Sequence, residues 1–74
     1  MGQSSGIGVL DKVVAVLKAA SAAPTALTDL CDTTGLPRAT AHRLAVGLET
    51  HGLLQRDGQG RWRPGPLLAA LAAH

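Results

Sequence analysis

The segment LTDLCDTTGLPRATAHRLAV, residues 27–46, sets two helical patterns on either side of one glycine. Leu27, Leu30 and Cys31 share a face of a short helix predicted over residues 27–34. Gly35 follows it, where a residue without Cβ turns the chain through positive φ at little cost. Leu36-Pro37 opens a second helix that runs to about His51, with proline suited to the first turn, where its missing N–H costs nothing. Two helices meeting at a sharp angle need a small side chain at their crossing, and Cys31 stands four residues before the glycine. Leu30, Leu36, Ala41 and Leu44 then occupy the positions that must point into the shared core. Residue type suits geometry at all six positions, which makes the segment a helix-turn-helix.

Outward from it, Val9, Leu10, Val13, Val14, Val16 and Leu17 follow helical spacing, and this helix stops near Ala22, before Pro24. Its apolar stripe is wide enough to meet more than one surface. Gly52 ends the helix after the turn. Leu53–Arg56 and Arg61–Arg63 read as short strands around Asp57-Gly58-Gln59-Gly60, a hairpin whose register the residues leave open. Pro64-Gly65-Pro66 breaks the second strand, and a fourth helix begins over Leu67–His74. Three helices, a two-stranded hairpin and a further helix make a mostly α fold, the winged helix-turn-helix. The expected organisation is a mobile arm over residues 1–8, the winged domain over 9–66 and the start of a linker or dimerisation helix over 67–74. Leu67, Leu68 and Leu71 suit either core or a dimer or linker contact. Thr25 is expected to cap the helix of residues 27–34, because Ala26 has no capping side chain.

Composition bounds the rest. Seventy-four residues make one small domain, and a 46% hydrophobic content is too high for a disordered tail. Trp62 is the sole aromatic residue. All the arginines (Arg38, Arg43, Arg56, Arg61, Arg63) lie between Pro37 and Arg63 against Glu49 and Asp57, whereas the remainder sets Lys12 and Lys18 against Asp11, Asp29 and Asp32. That half attracts polyanions. One cysteine cannot form an internal disulfide, and no signal peptide or membrane-length apolar run is visible, so a cytoplasmic location is expected. His42 and His51 are nine positions apart and cannot share a metal from one helix, so no metal and no cofactor are expected. No Ser, His and Asp are grouped for nucleophilic catalysis, and so short a chain builds no water-excluding cleft. The chain is read as no enzyme.

On a wheel of the third helix, Ala41, Leu44, Leu48 and His51 fall on one side, flanked by Ala45 and Gly47. The other side carries Arg38, Ala39, His42, Arg43 and Val46, with Thr40 nearer the boundary. Such a face fits the DNA major groove, where arginine reaches guanine O6 and N7 and small apolar groups touch thymine methyls. Arg38 and Thr40, at the positive end of the helix, suit phosphates instead. On the hairpin, Arg61 and Arg63 share a face and approach the backbone or the minor groove, while Trp62 on the other face anchors the wing to the core.

From Gly6 to Leu71 the chain resembles the N-terminal domain of the IclR family of bacterial transcription regulators. GIGVLDK (6–12), TGLPRATAHRLAVGLETHGLL (34–54) and DGQGRWRPGPLL (57–68) carry the likeness, the first most like actinobacterial members. The resemblance implies a dimeric repressor or activator on a palindromic operator, with a small-molecule effector bound by a C-terminal domain that these residues do not include. A second reading keeps the winged helix and uses it for protein contact without DNA. The outward face of the third helix separates the two, since a protein-binding version has no need of arginine and histidine there.

Overall fold

The computed structural model describes residues 6–73, so residues 1–5 of the arm expected over 1–8, and the final His74, lie outside the described residues. The elements in chain order are α1 (Gly8–Ala22), α2 (Leu27–Thr34), α3 (Arg38–Thr50), β1 (Leu54–Arg56), β2 (Trp62–Pro64) and α4 (Pro66–Ala72). Helix α1 therefore opens inside the stretch expected as arm. The amide of Asp11 bonds the Ile7 carbonyl at 3.0 Å, which closes the first turn ahead of Val9.

Two glycines end helices as the chain chemistry requires. Gly35 takes φ 73° and donates to the Cys31 carbonyl at 2.8 Å, satisfying an acceptor that α2 leaves open. Thr34 closes the same turn: its hydroxyl donates to the Leu30 carbonyl at 2.7 Å and accepts from the Leu36 amide at 3.3 Å. Gly52 takes φ 79° after α3, where its amide reaches the Glu49 carbonyl at 3.0 Å and the Leu53 amide reaches Leu48 at 2.9 Å. That pair of bonds is a Schellman motif, and Leu53 lies against the core beside Leu48. Pro37 stands just outside α3 with extended ψ of 147°, its carbonyl accepting from Ala41, so it precedes the first turn instead of starting it.

The core joins α1, α2, α3 and the hairpin through Val16, Ala20, Leu30, Ala41, Ala45, Leu48, Leu54 and Trp62. Cys31, Leu36 and Leu44 are half-buried against it. Buried Ala20, Ala41 and Ala45 let the helices approach closely, and Trp62 with the leucines fills the remaining interior. Only the later part of α1 joins this core. Val9 is 63% exposed and Leu10 45%, so the wide stripe leaves an uncovered apolar face at the start of the helix.

Strands β1 and β2 pair antiparallel, with Leu54 opposite Pro64, Gln55 opposite Arg63 and Arg56 opposite Trp62. Pro64 thus ends β2 inside the ladder, although the sequence reading broke the strand before it. The other edge of Trp62 bonds Thr25: the Thr25 amide reaches the Trp62 carbonyl at 2.9 Å and the Trp62 amide reaches Thr25 at 2.8 Å. Thr25 is therefore a third rung of the wing and not the cap expected of it. Its hydroxyl turns back to the Ala23 carbonyl at 2.7 Å, with the Ala19 carbonyl at 3.3 Å, so it serves the end of α1; α2 begins after Ala26 without a side-chain cap. Among the described residues no helix is long and apolar enough to cross a membrane.

Candidate nucleic-acid interface

Helix α3 exposes Arg38, Ala39, His42 and Arg43 on its outward side, with Gly47 and Thr50 continuing the row. Thr40 is half-buried, as its boundary position implies. Val46 is half-buried and packs against the core, so it presents only part of its side chain. His51 leaves the inner side expected for it: it follows the last helical turn, and its side chain is exposed. Ala45, expected only to flank, is fully buried instead.

Arg38 reaches across the turn, its Nη1 donating to the Thr28 hydroxyl at 3.4 Å near the start of α2. Leu27, Arg38, Ala39 and His42 line a shallow groove there, between the first turns of the two helices. The Arg43 side chain makes no hydrogen bond or ion pair among the described residues. The only acid on α3, Glu49, is engaged elsewhere, with its carboxylate 3.7 Å from Arg56 Nε. The outward row is therefore cationic without a competing carboxylate on its own helix.

The wing is fixed from below by Trp62, which is 2% exposed. Arg56 lies over the indole with its Cζ 4.1 Å from the ring centroid, a cation–π contact that the cross-strand register brings about. With Glu49, it ties the end of α3 to the hairpin. Sequence reasoning did not single out Arg56, because the pairing of residue 56 with residue 62 is the only signal for it. On the other face, Arg61 and Arg63 are exposed on either side of Trp62.

The wing tip is a tight turn. The Gly60 amide bonds the Asp57 carbonyl at 3.1 Å, Gly60 has φ 75°, and the Asp57 amide bonds the Arg61 carbonyl at 2.9 Å. Asp57 is the turn's organiser. Its Oδ1 accepts from the Gln59 amide at 2.9 Å and the Arg61 amide at 3.0 Å, while Oδ2 accepts from Arg61 Nε at 3.1 Å. These donors, the Arg61 amide foremost, hold the carboxyl below the ordinary aspartate value of 3.8. Ionised Asp57 thus stabilises the turn above that value, and its contribution disappears as the pH falls through the lowered one. An acid titration followed through the Gln59 and Arg61 amide resonances should show a step with its midpoint below 3.8, absent from Asp57→Asn. A midpoint at or above 3.8 would contradict this turn geometry.

The family model for the IclR helix-turn-helix domain matches residues 9–58, more than half of the chain. The chain belongs to the IclR helix-turn-helix family. An IclR homolog from Microbacterium sp. strain HM58-2 superposes with a TM-score of 0.78 at 32% identity, over 86% of this chain and 28% of that one. A second homolog, from Microbacterium hydrocarbonoxydans and solved with 4-hydroxybenzoate, gives 0.76 at 31% identity, over 84% and 27%. Pseudomonas aeruginosa HmgR gives 0.76 at 26%, over 90% and 30%. No curated protein matches the chain. The chain spans less than a third of the length of each of these three proteins. It is a DNA-binding domain of the transcription-regulator type, and its winged helix-turn-helix architecture is that of the IclR structures.

Proposed function

We propose that this IclR domain binds double-stranded DNA sequence-specifically, with α3 in the major groove and the wing of residues 56–63 on the backbone or minor groove. One observation carries the reading: α3 presents Arg38, Ala39, His42 and Arg43 outward, and the only acid on the helix is engaged with Arg56. In this arrangement Arg43 reads a base edge, Arg38 and Thr40 hold phosphates at the helix start, and Ala39, His42 and Val46 line the groove floor. Arg61 and Arg63 supply sequence-independent contacts.

The domain acts as a homodimer on a palindromic operator, the two recognition helices entering successive major grooves about 34 Å apart. The exposed Val9, Leu10 and Val14 of α1, with Leu67 and Leu71 of α4, support that association. A small-molecule effector belongs to a further domain outside residues 9–66, and the protein works in the bacterial cytoplasm as a repressor or activator.

Titration of the chain against duplexes over a salt series tests the proposal. Affinity should fall steeply with salt and differ between sequences. Affinity flat in salt would favour protein contact as the use of this face, and affinity equal for every duplex would contradict sequence-specific binding. Within a bound site, Arg43→Ala should relax discrimination at particular base pairs by about 1–3 kcal/mol. Arg63→Ala should instead weaken all duplexes alike and lower the salt slope by about one. The same profile from both variants would refute the division between reading helix and wing.

A further inference from the structure

The two outward arginines of the wing are held differently. The Arg63 side chain makes no hydrogen bond or ion pair among the described residues. Arg61 is gripped twice by one carboxylate: Asp57 takes its backbone amide at 3.0 Å through Oδ1 and its side-chain Nε at 3.1 Å through Oδ2. The Nη1 and Nη2 ends of the guanidinium keep their hydrogens, with no partner among the described residues. The acid is also the more covered partner, its side chain 16% exposed against 44% for that of Arg61. Of the two, the arginine is the more open to an approaching partner.

Held at Nε, a planar guanidinium points its two terminal nitrogens outward as a fork, the geometry that matches two oxygens of one phosphate. A free arginine must give up rotamer freedom to adopt that pose at the moment of binding, and Arg61 has already done so. Resting on the DNA-binding reading above, we propose that Asp57 is a positioning residue that presets the Arg61 fork for a phosphate of the DNA backbone. The negative charge of Asp57 works against this role, because it repels the same phosphate. The two effects have opposite signs on affinity, so the sign decides between them.

The test is a double-mutant cycle on DNA affinity with Asp57→Asn, Arg61→Ala and the double variant, each at several salt concentrations. Asparagine can keep an acceptor for the Gln59 and Arg61 amides, but it offers no carboxylate to Arg61 Nε. In the wild-type background Asp57→Asn should weaken binding by about fivefold and flatten the salt slope, as Arg61→Ala does. In the Arg61→Ala background the same change should cause no weakening. Tighter binding by Asp57→Asn in the wild-type background would overturn the proposal and make Asp57 a mask on the wing charge. Equal weakening in both backgrounds would overturn it too, by showing a purely structural role. Should Asp57→Asn fail to fold, as judged by Trp62 fluorescence, Asp57→Ser keeps a turn-starting acceptor and carries the same expectations. A wild-type chain that binds no duplex would remove the DNA reading itself, an outcome visible before any variant is compared.

Discussion

Trp62→Ala is expected to lower stability by about 3–5 kcal/mol, the range for truncating a large buried aromatic. A domain of this size has on the order of 4–11 kcal/mol in total, so the variant should lose a large fraction of its stability. The loss is large because Trp62 is the largest fully buried side chain and has no other aromatic neighbour to close over the gap. Its ring also supports Arg56, whose cation–π contact is worth roughly 0.5–1 kcal/mol at an exposed site and disappears with the ring. The backbone bonds from residue 62 to Thr25 do not depend on the side chain, so Trp62→Phe should keep the wing and lose less than half as much. Denaturant unfolding followed by circular dichroism reads both variants. A cost below about 1 kcal/mol for Trp62→Ala would mean that the hairpin is not anchored through this side chain.

Gly65→Ala should cost on the order of 3 kcal/mol, at the upper end of the range for overpacking. The backbone at Gly65 is ordinary, with φ −94°, so conformational freedom is not the reason. Space is. A Cβ there would stand 2.5 Å from the Gly52 carbonyl oxygen and 2.8 Å from that of Leu54, and both obstacles are backbone. The Gly52 carbonyl accepts from the Leu67 amide at 2.8 Å, and Gly65 itself donates to Leu53 at 2.9 Å. Moving the strands apart to admit a methyl group therefore loosens the bonds that seat α4 against the hairpin. Gly58→Ala, with nothing within 4 Å of the added atom, should stay within about 0.5 kcal/mol. Equal melting of the two variants would show that the passage between Gly52 and Gly65 is wider than described.

What could be read from the sequence follows the range of the interactions. The turn at Gly35 was legible because each constraint on it lies within a few residues: a positive φ, a bond back to Cys31, an apolar period on either side. The buried place of Trp62 was legible as well, from alternation with Arg61 and Arg63. Thr25 was not. It looks like a helix cap from its neighbours, and only a strand 37 positions later turns it into a rung of the sheet. Strands of three residues carry too little alternation to set a register, so the Arg56–Trp62 stack and the Asp57–Arg61 grip stayed hidden. Val46 shows the same limit between the inner and outer faces of α3, where the packing of neighbouring elements decides how much of a side chain faces out.

The central claim is that the outward face of α3 reads base sequence. Selection of duplexes from a random pool, run with the wild-type chain and with Arg43→Ala, tests it most directly. The wild type should enrich a defined motif, and Arg43→Ala should lose preference at one or two positions of that motif while keeping the others. A pool that stays random with the wild type, or the same motif recovered in full with Arg43→Ala, would contradict it.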